Sequence, residues 1–229
     1  MSASLPAAVA AERVKLTTLR SPLWSVAVAA VLSVGLAALQ PRSAVLGVAV
    51  LGVPVLMVVA VLTVTGEYRT GMIATTFLAT PARFVVLCAK AVVAGLFCGL
   101  SAVLMAVAAY LVAREPLDGR TVAAVGVYGA SAAVLGVGVG ALLRHSAGAV
   151  SVVLLWPLLV EPVLGNLPER GAQIGPYLPF ANMFRFLDVT WLFPAYDWHW
   201  GPVGALAYFA VVAAGVFGAA VLVVARRDA

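Results

Sequence analysis

The chain has 229 residues, 64% hydrophobic and only 10% charged, with a formal net charge of +5. A soluble domain carries about 25% charged residues, and one of this size would lack the polar groups to cover its surface, so a soluble domain is excluded. The excess of basic residues reads as membrane topology, because a nucleic-acid surface needs its basic groups gathered on one face, and no nucleic-acid partner is expected.

Apolar stretches of roughly 18–28 residues lie between the charges, and about 20 residues of helix cross the hydrocarbon core. Lipid offers no partners for backbone groups, which favours helices, and the alternating segments of an outer-membrane barrel are absent. The expected fold is an all-α membrane protein with six spans at residues 23–40, 44–65, 84–112, 121–143, 147–164 and 202–225. The third looks long, so its ends are expected inside that range. The first two should form a tight hairpin around Pro41 and Ser43. Residues 1–21 have no apolar core of their own, so the first span is expected to direct insertion.

Residues 5–22 come first in chain order. Leu5, Val9, Leu16, Leu19 and Leu23 fall within about 80° on a helical wheel, flanked by Arg13, Lys15 and Arg20 and interrupted by Glu12. This pattern predicts an interfacial helix on the cytosolic leaflet with basic residues facing anionic membrane lipid. A frayed tail is the alternative.

Residues 66–81 join the second and third predicted spans. Ile73 and Phe77 are spaced i,i+4, as are Ala74 and Leu78. A short cytosolic amphipathic helix is expected there, and Pro81 should end it by disfavouring helix at Thr80. Residues 166–201 hold nine of the chain's aromatics, Tyr177, Phe180, Phe184, Phe186, Trp191, Phe193, Tyr196, Trp198 and Trp200, with Pro168, Pro176, Pro179 and Pro194. Short re-entrant or interface-lying helices are expected, anchored by aromatics at headgroup depth.

Orientation follows from the basic residues. With both ends inside, Arg13, Lys15, Arg20, Arg69, Arg83, Lys90, Arg144, Arg226 and Arg227 are cytosolic. Arg42, Arg114, Arg120, Arg170 and Arg185 lie on the outer side, in the sense of the positive-inside rule.

Absences narrow the chemistry. The lysines are Lys15 and Lys90, and neither stands in a Gly-Lys-Ser/Thr motif, so no phosphate-cradling loop is present. His145 and His199 are expected on opposite sides of the membrane and cannot share a metal. Cys88 and Cys98 are ten residues apart on one span, roughly 15 Å of rise, and a disulfide needs Cα atoms within about 7 Å. They read as small core residues. No catalytic set, cofactor or metal is expected, and the chain is not expected to be an enzyme.

Glu161 is the acid placed inside a predicted span, between Pro157 and Pro162. Intramembrane acids are candidates for function, here a gate or substrate pathway. The alternative is a hydrogen bond to backbone groups freed by the prolines. Gly95 with Gly99, and Gly136 with Gly140, match small-xxx-small spacing and are read as close helix packing. Trp24 and Trp156 are read as membrane anchors or packing residues.

Glu67-Tyr68-Arg69-Thr70-Gly71, then Thr76-Phe77-Leu78-Ala79-Thr80-Pro81, then Lys90 opening a span, resembles the ATP-binding-cassette type-2 permease family, in particular its actinobacterial members. Lys15-Leu16, with Leu19-Arg20-Ser21, is similar to that family's entry to the first span. The aromatic segment before the last span and the ending Arg226-Arg227-Asp228-Ala229 also resemble it. The short first outer loop departs from the pattern.

The resemblance implies a single permease domain over residues 1–229 in a bacterial plasma membrane, serving export without its own motor. It implies pairing with a second permease, identical or different, and docking of separate ATPase subunits. Residues 66–81 would be the coupling helix, with Glu67, Tyr68, Arg69, Gly71, Ile73, Phe77 and Leu78 at the docking site, and residues 5–22 the connecting helix beside it. Glu67 and Arg69 would pair with partner charges, or with one another. The substrate stays open among drugs, lipids, peptides and glycan precursors. A sensor or immunity factor binding a ligand outside is the rival reading.

Overall fold

The computed structural model describes residues 5–39, 44–189 and 192–226. The hairpin expected around Pro41 and Ser43, together with Arg42, Trp191 and the tail from Arg227 to Ala229, lies outside the described residues.

Among the described residues every regular element is helical. The order is α1 (Leu5–Thr18), α2 (Arg20–Leu39), a π-turn (Val48–Gly52) leading into α3 (Val53–Thr70), α4 (Met72–Ala79), α5 (Arg83–Ala113) and α6 (Gly119–Leu143). There follow α7 (Ser146–Leu155), a second π-turn (Trp156–Val160), α8 (Glu161–Gly165), α9 (Gly171–Ile174), a 3₁₀ turn (Gly175–Tyr177), α10 (Pro179–Phe186) and α11 (Pro202–Arg226). Six helical segments are long and apolar enough to cross a membrane: Arg20–Leu39, Val48–Thr70, Arg83–Ala113, Gly119–Leu143, Ser146–Gly165 and Pro202–Arg226.

Three boundaries differ from the sequence expectation. α5 is 31 residues long, about 46 Å at 1.5 Å per residue, so it outruns a hydrocarbon core of about 30 Å instead of ending inside residues 84–112. α6 starts earlier than expected because Asp118 caps it, accepting from the backbone N–H groups of Arg120 (3.1 Å) and Thr121 (3.2 Å). α3 continues through the residues assigned to the cytosolic loop and stops only at Gly71, whose φ of 71° is left-handed. That conformation suits glycine.

Side-chain contacts sort the loops onto two ends of the bundle. At one end Lys15 of α1 meets Glu67 of α3 at 2.7 Å, and the Arg144 guanidinium lies 5.1 Å from the Tyr68 ring centre. At the same end Arg83 donates to the Val224 carbonyl at 3.2 Å. At the other end Asn166 donates to the Leu192 carbonyl (3.1 Å) and the Tyr208 hydroxyl to the Tyr177 carbonyl (2.7 Å).

α3, α5 and α6 are mostly buried, while α2, the α7–α8 segment and α11 stand on the outside with apolar faces exposed. Glycines on α6 let its neighbours approach. A Cβ on Gly136 would lie 3.0 Å from the Met57 carbonyl oxygen, and one on Gly140 would lie 3.1 Å from that of Val61. On α5, a Cβ on Gly99 would lie 3.0 Å from the Gly126 carbonyl oxygen. The small-residue spacing therefore serves packing within the chain, as expected. Gly136→Val is expected to cost about 1–3 kcal/mol by overpacking, seen as a lowered unfolding temperature of the purified chain. Unchanged melting would contradict the close α3–α6 contact.

Candidate functional site

Because α3 stays helical to Thr70, Glu67 falls four residues after Thr63 and turns inward; it is 7% exposed. Lys90, two turns into α5, is 1% exposed. A lone ammonium there would be costly, and the chain surrounds it with acceptors. Lys90 Nζ donates to Glu12 Oε2 (2.9 Å), Glu67 Oε1 (2.7 Å) and the Thr63 carbonyl (3.0 Å). An ammonium has three N–H donors, and all three are engaged.

Glu12 and Lys15 sit three apart on α1, on neighbouring positions of one helical face. Lys15 Nζ meets Glu12 Oε1 at 2.8 Å and Glu67 Oε1 at 2.7 Å. Two carboxylates and two ammonium groups thus form a neutral cluster joining α1, α3 and α5. The Thr76 hydroxyl adds α4 by donating to Glu67 Oε2 at 3.2 Å. Burial alone pulls the Lys15 pKa down, but the hydrogen bonds and charges of Glu12 and Glu67 outweigh it and hold the ammonium above its ordinary value of 10.5. Its contribution to stability is therefore complete below that ordinary value and fades only as pH rises through the raised one.

Glu67 is turned inward and pairs with Lys15 and Lys90, not with Arg69. The short helix covers Met72–Ala79, not the whole of residues 66–81. Thr80, whose φ of −135° and ψ of 88° lie outside the helical region, ends it before Pro81 as the proline implied. Ile73 is buried, Phe77 is half-buried beneath the Arg83 guanidinium at 5.2 Å, and Tyr68 is half-buried beneath Arg144. Arg69 and Gly71 are exposed, and Leu78 is 81% exposed at the free side of α4.

α1 packs one side against the bundle. Its buried residues are Ala8, Glu12 and Leu16, whereas Leu5 and Leu19 are exposed. Leu16 packs against Val59 of α3 and Val93 of α5, and the helix breaks at Leu19 before α2 begins. The sequence reading treated Glu12 as an interruption and Lys90 as topology. The available signal was that a lysine inside a span needs acids within reach, and Glu12 and Glu67 were two of the three acids expected on the same side, with Asp228.

The second candidate, Glu161, is fully buried. Its Oε1 accepts from the Trp156 indole N–H (2.8 Å), and its Oε2 accepts from the backbone N–H groups of Phe180 (2.8 Å) and Ala181 (3.1 Å). It therefore caps the first turn of α10, a neighbouring segment, and does not serve groups freed in its own helix. A carboxylate at a helix N-terminus satisfies free donors and opposes the positive end of the dipole. Glu161→Gln would turn an amide N–H₂ toward one of these donors. The expected cost is about 1–3 kcal/mol, with faster proteolysis of residues 166–189. Unchanged melting and proteolysis would remove the capping role.

Short helices do occupy residues 166–201, and half of the segment's eight described aromatics are packed inside the bundle. Phe180, Phe184, Phe193 and Tyr196 are buried. Phe180 meets Tyr128 of α6 and Phe209 of α11 edge-on, at 6.5 and 5.3 Å. Trp200 donates to buried Asn182 at 2.7 Å, and Asn182 donates to the carbonyls of Pro176 (2.8 Å) and Leu178 (2.9 Å). Trp24 is exposed.

His145 caps α7 by accepting from the Gly148 N–H at 3.1 Å, while His199 lies against Tyr177 at the other end. Among the described residues no group of three His, Cys, Asp or Glu is placed to hold a metal. Cys98 is buried and Cys88 half-buried, both as free thiols. No model of a known protein family matches the chain, and no curated protein matches it in sequence. The family resemblance thus rests on its motif residues alone.

Proposed function

We propose that the chain is the membrane-spanning subunit of a bacterial plasma-membrane exporter, driven by separate ATP-hydrolysing subunits that dock against α4. The observation that carries this reading is the ionic cluster beneath that helix. An external motor can move spans only through a stiff element joined to them. α4 is short, presents Leu78 outward, and is tied through Thr76 and Glu67 to Lys15 and Lys90. A force on α4 would reach α1, α3 and α5 together. α1 plays the connecting part: Ala8, Ala11 and Glu12 line one groove with Met72, Thr75 and Thr76 of α4. The distribution of basic residues favours a cytosolic side for both ends of the chain and for α4.

The inward packing of Phe180, Phe184 and Phe193 leaves fewer aromatic faces for an outer ligand, which weighs against the sensor reading. The test is purification of the tagged chain after co-expression with the products of its neighbouring genes. A protein carrying a phosphate-binding loop should co-purify, together with a second permease copy or a homologous one. If no ATPase associates and ATP drives no transport in reconstituted vesicles, the proposal fails.

A further inference from the structure

We propose that the groove between α1, α2 and α3 binds one anionic phospholipid, with the phosphate between Lys15 and Arg69 and an acyl chain along Leu62. The groove has a volume of about 550 Å³, within the usual range of about 300–1,000 Å³ for small-molecule sites. Its walls are mostly apolar, formed by Leu16, Leu19, Pro22, Val59 and Leu62. Its charged lining residues are Glu12, Lys15, Glu67 and Arg69, joined by five serine and threonine hydroxyls. Mostly apolar walls with a small charged set match a lipid, whose chain is apolar and whose head is charged. The site also lies where α1 gives way at Leu19 to the first helix long enough to span a membrane, the depth at which headgroups lie.

The charge has the matching sign. Both carboxylates lining the groove, Glu12 and Glu67, are engaged by ammonium groups. Lys90 has no N–H left over, but Lys15 bonds only Glu12 and Glu67 among the described residues and its side chain is 34% exposed. Its third N–H is available to an acceptor in the groove. Arg69 is exposed and has no partner among the described residues. Two cationic donors with no free acid between them favour a phosphodiester head that carries no cation of its own over a zwitterionic one, whose ammonium would be repelled.

The inference does not depend on ATPase docking, so each can fail separately. The test uses the full chain in detergent and native mass spectrometry with two probes of identical acyl chains, phosphatidylglycerol and phosphatidylcholine. Phosphatidylglycerol should be retained preferentially as a single adduct. Arg69→Ala should lower that retention about five-fold, the factor expected for one basic residue at an anionic surface. Leu62→Trp should abolish it by filling the groove. Arg120→Ala, at the opposite end of the bundle, should leave it unchanged. Both Leu62 and Arg69 are exposed, so neither change threatens folding, and unaltered melting temperatures check this. Equal retention of the two lipids, insensitivity to Leu62→Trp and Arg69→Ala, or equally strong binding of glycerol phosphate without acyl chains would overturn the proposal.

Discussion

Lys90→Met should be the most damaging single substitution in the chain, lowering stability by about 3–5 kcal/mol, the cost of removing one partner from a buried ion pair. Methionine nearly reproduces the volume of the lysine side chain but donates nothing. Glu12 Oε2 and the Thr63 carbonyl would each lose a donor, now at 2.9 and 3.0 Å, and Glu67 would retain only Lys15 and the Thr76 hydroxyl. The cluster would hold two carboxylates against one ammonium. Adding Glu12→Gln restores neutrality, so the double variant should be more stable than Lys90→Met alone, a clear departure from additivity. Lys15→Met should cost less, because that side chain is 34% exposed. Thermal unfolding of the purified chain, together with proteolytic release of α1, measures all four proteins. Equal melting of wild type and Lys90→Met would show that the cluster does not hold α1 in place.

Leu78→Asp should uncouple the chain from the proposed ATPase subunits without unfolding it. Leu78 is 81% exposed, so a carboxylate there meets water in the isolated chain and an apolar cleft in the proposed complex. A centrally placed apolar anchor contributes about 2 kcal/mol or more to an interface, and ATPase retained on the tagged chain should fall by about 30-fold or more. Thr76→Val offers the contrasting result. Its hydroxyl bonds Glu67 Oε2 at 3.2 Å and is not at the free side of α4, so the ATPase should still bind while ATP-driven transport in vesicles declines. Loss of binding with Thr76→Val, or full binding with Leu78→Asp, would place the docking surface elsewhere.

The number of spanning helices was legible because lipid imposes long apolar runs that composition cannot hide. Their ends were harder to read, since hydropathy marks where the membrane stops and not where the helix stops. Glu67, Tyr68 and Arg69 look like loop residues, yet the backbone remains helical until Gly71 turns it. Glu12 misled for a related reason. It falls inside the apolar stripe of α1, where a helical wheel reads it as an interruption, whereas its partner Lys90 lies 78 residues away in sequence and holds it buried beside Leu16. Glu161 stood out as a buried acid, and Trp156 is a nearby donor, but its two backbone donors belong to Phe180 and Ala181, beyond any local pattern. The aromatics of residues 166–201 were legible as a group. Their inward direction depended on Glu161 and Asn182 fixing α10.

The balance of charge in the cluster has an electrical consequence. A single elementary charge crossing the membrane potential exchanges about 2.3 kcal/mol per 100 mV, enough to make a mechanical step depend on the energised state of the cell. Lys15 and Lys90 offset Glu12 and Glu67 within direct contact. A displacement that carries these groups together along the membrane normal therefore moves no net charge through the field. Force could pass from α4 into the spans as an electrically silent stroke, equally effective in resting and energised membranes. Lys90→Met would leave one uncompensated carboxylate on the moving parts and make the same stroke voltage-sensitive.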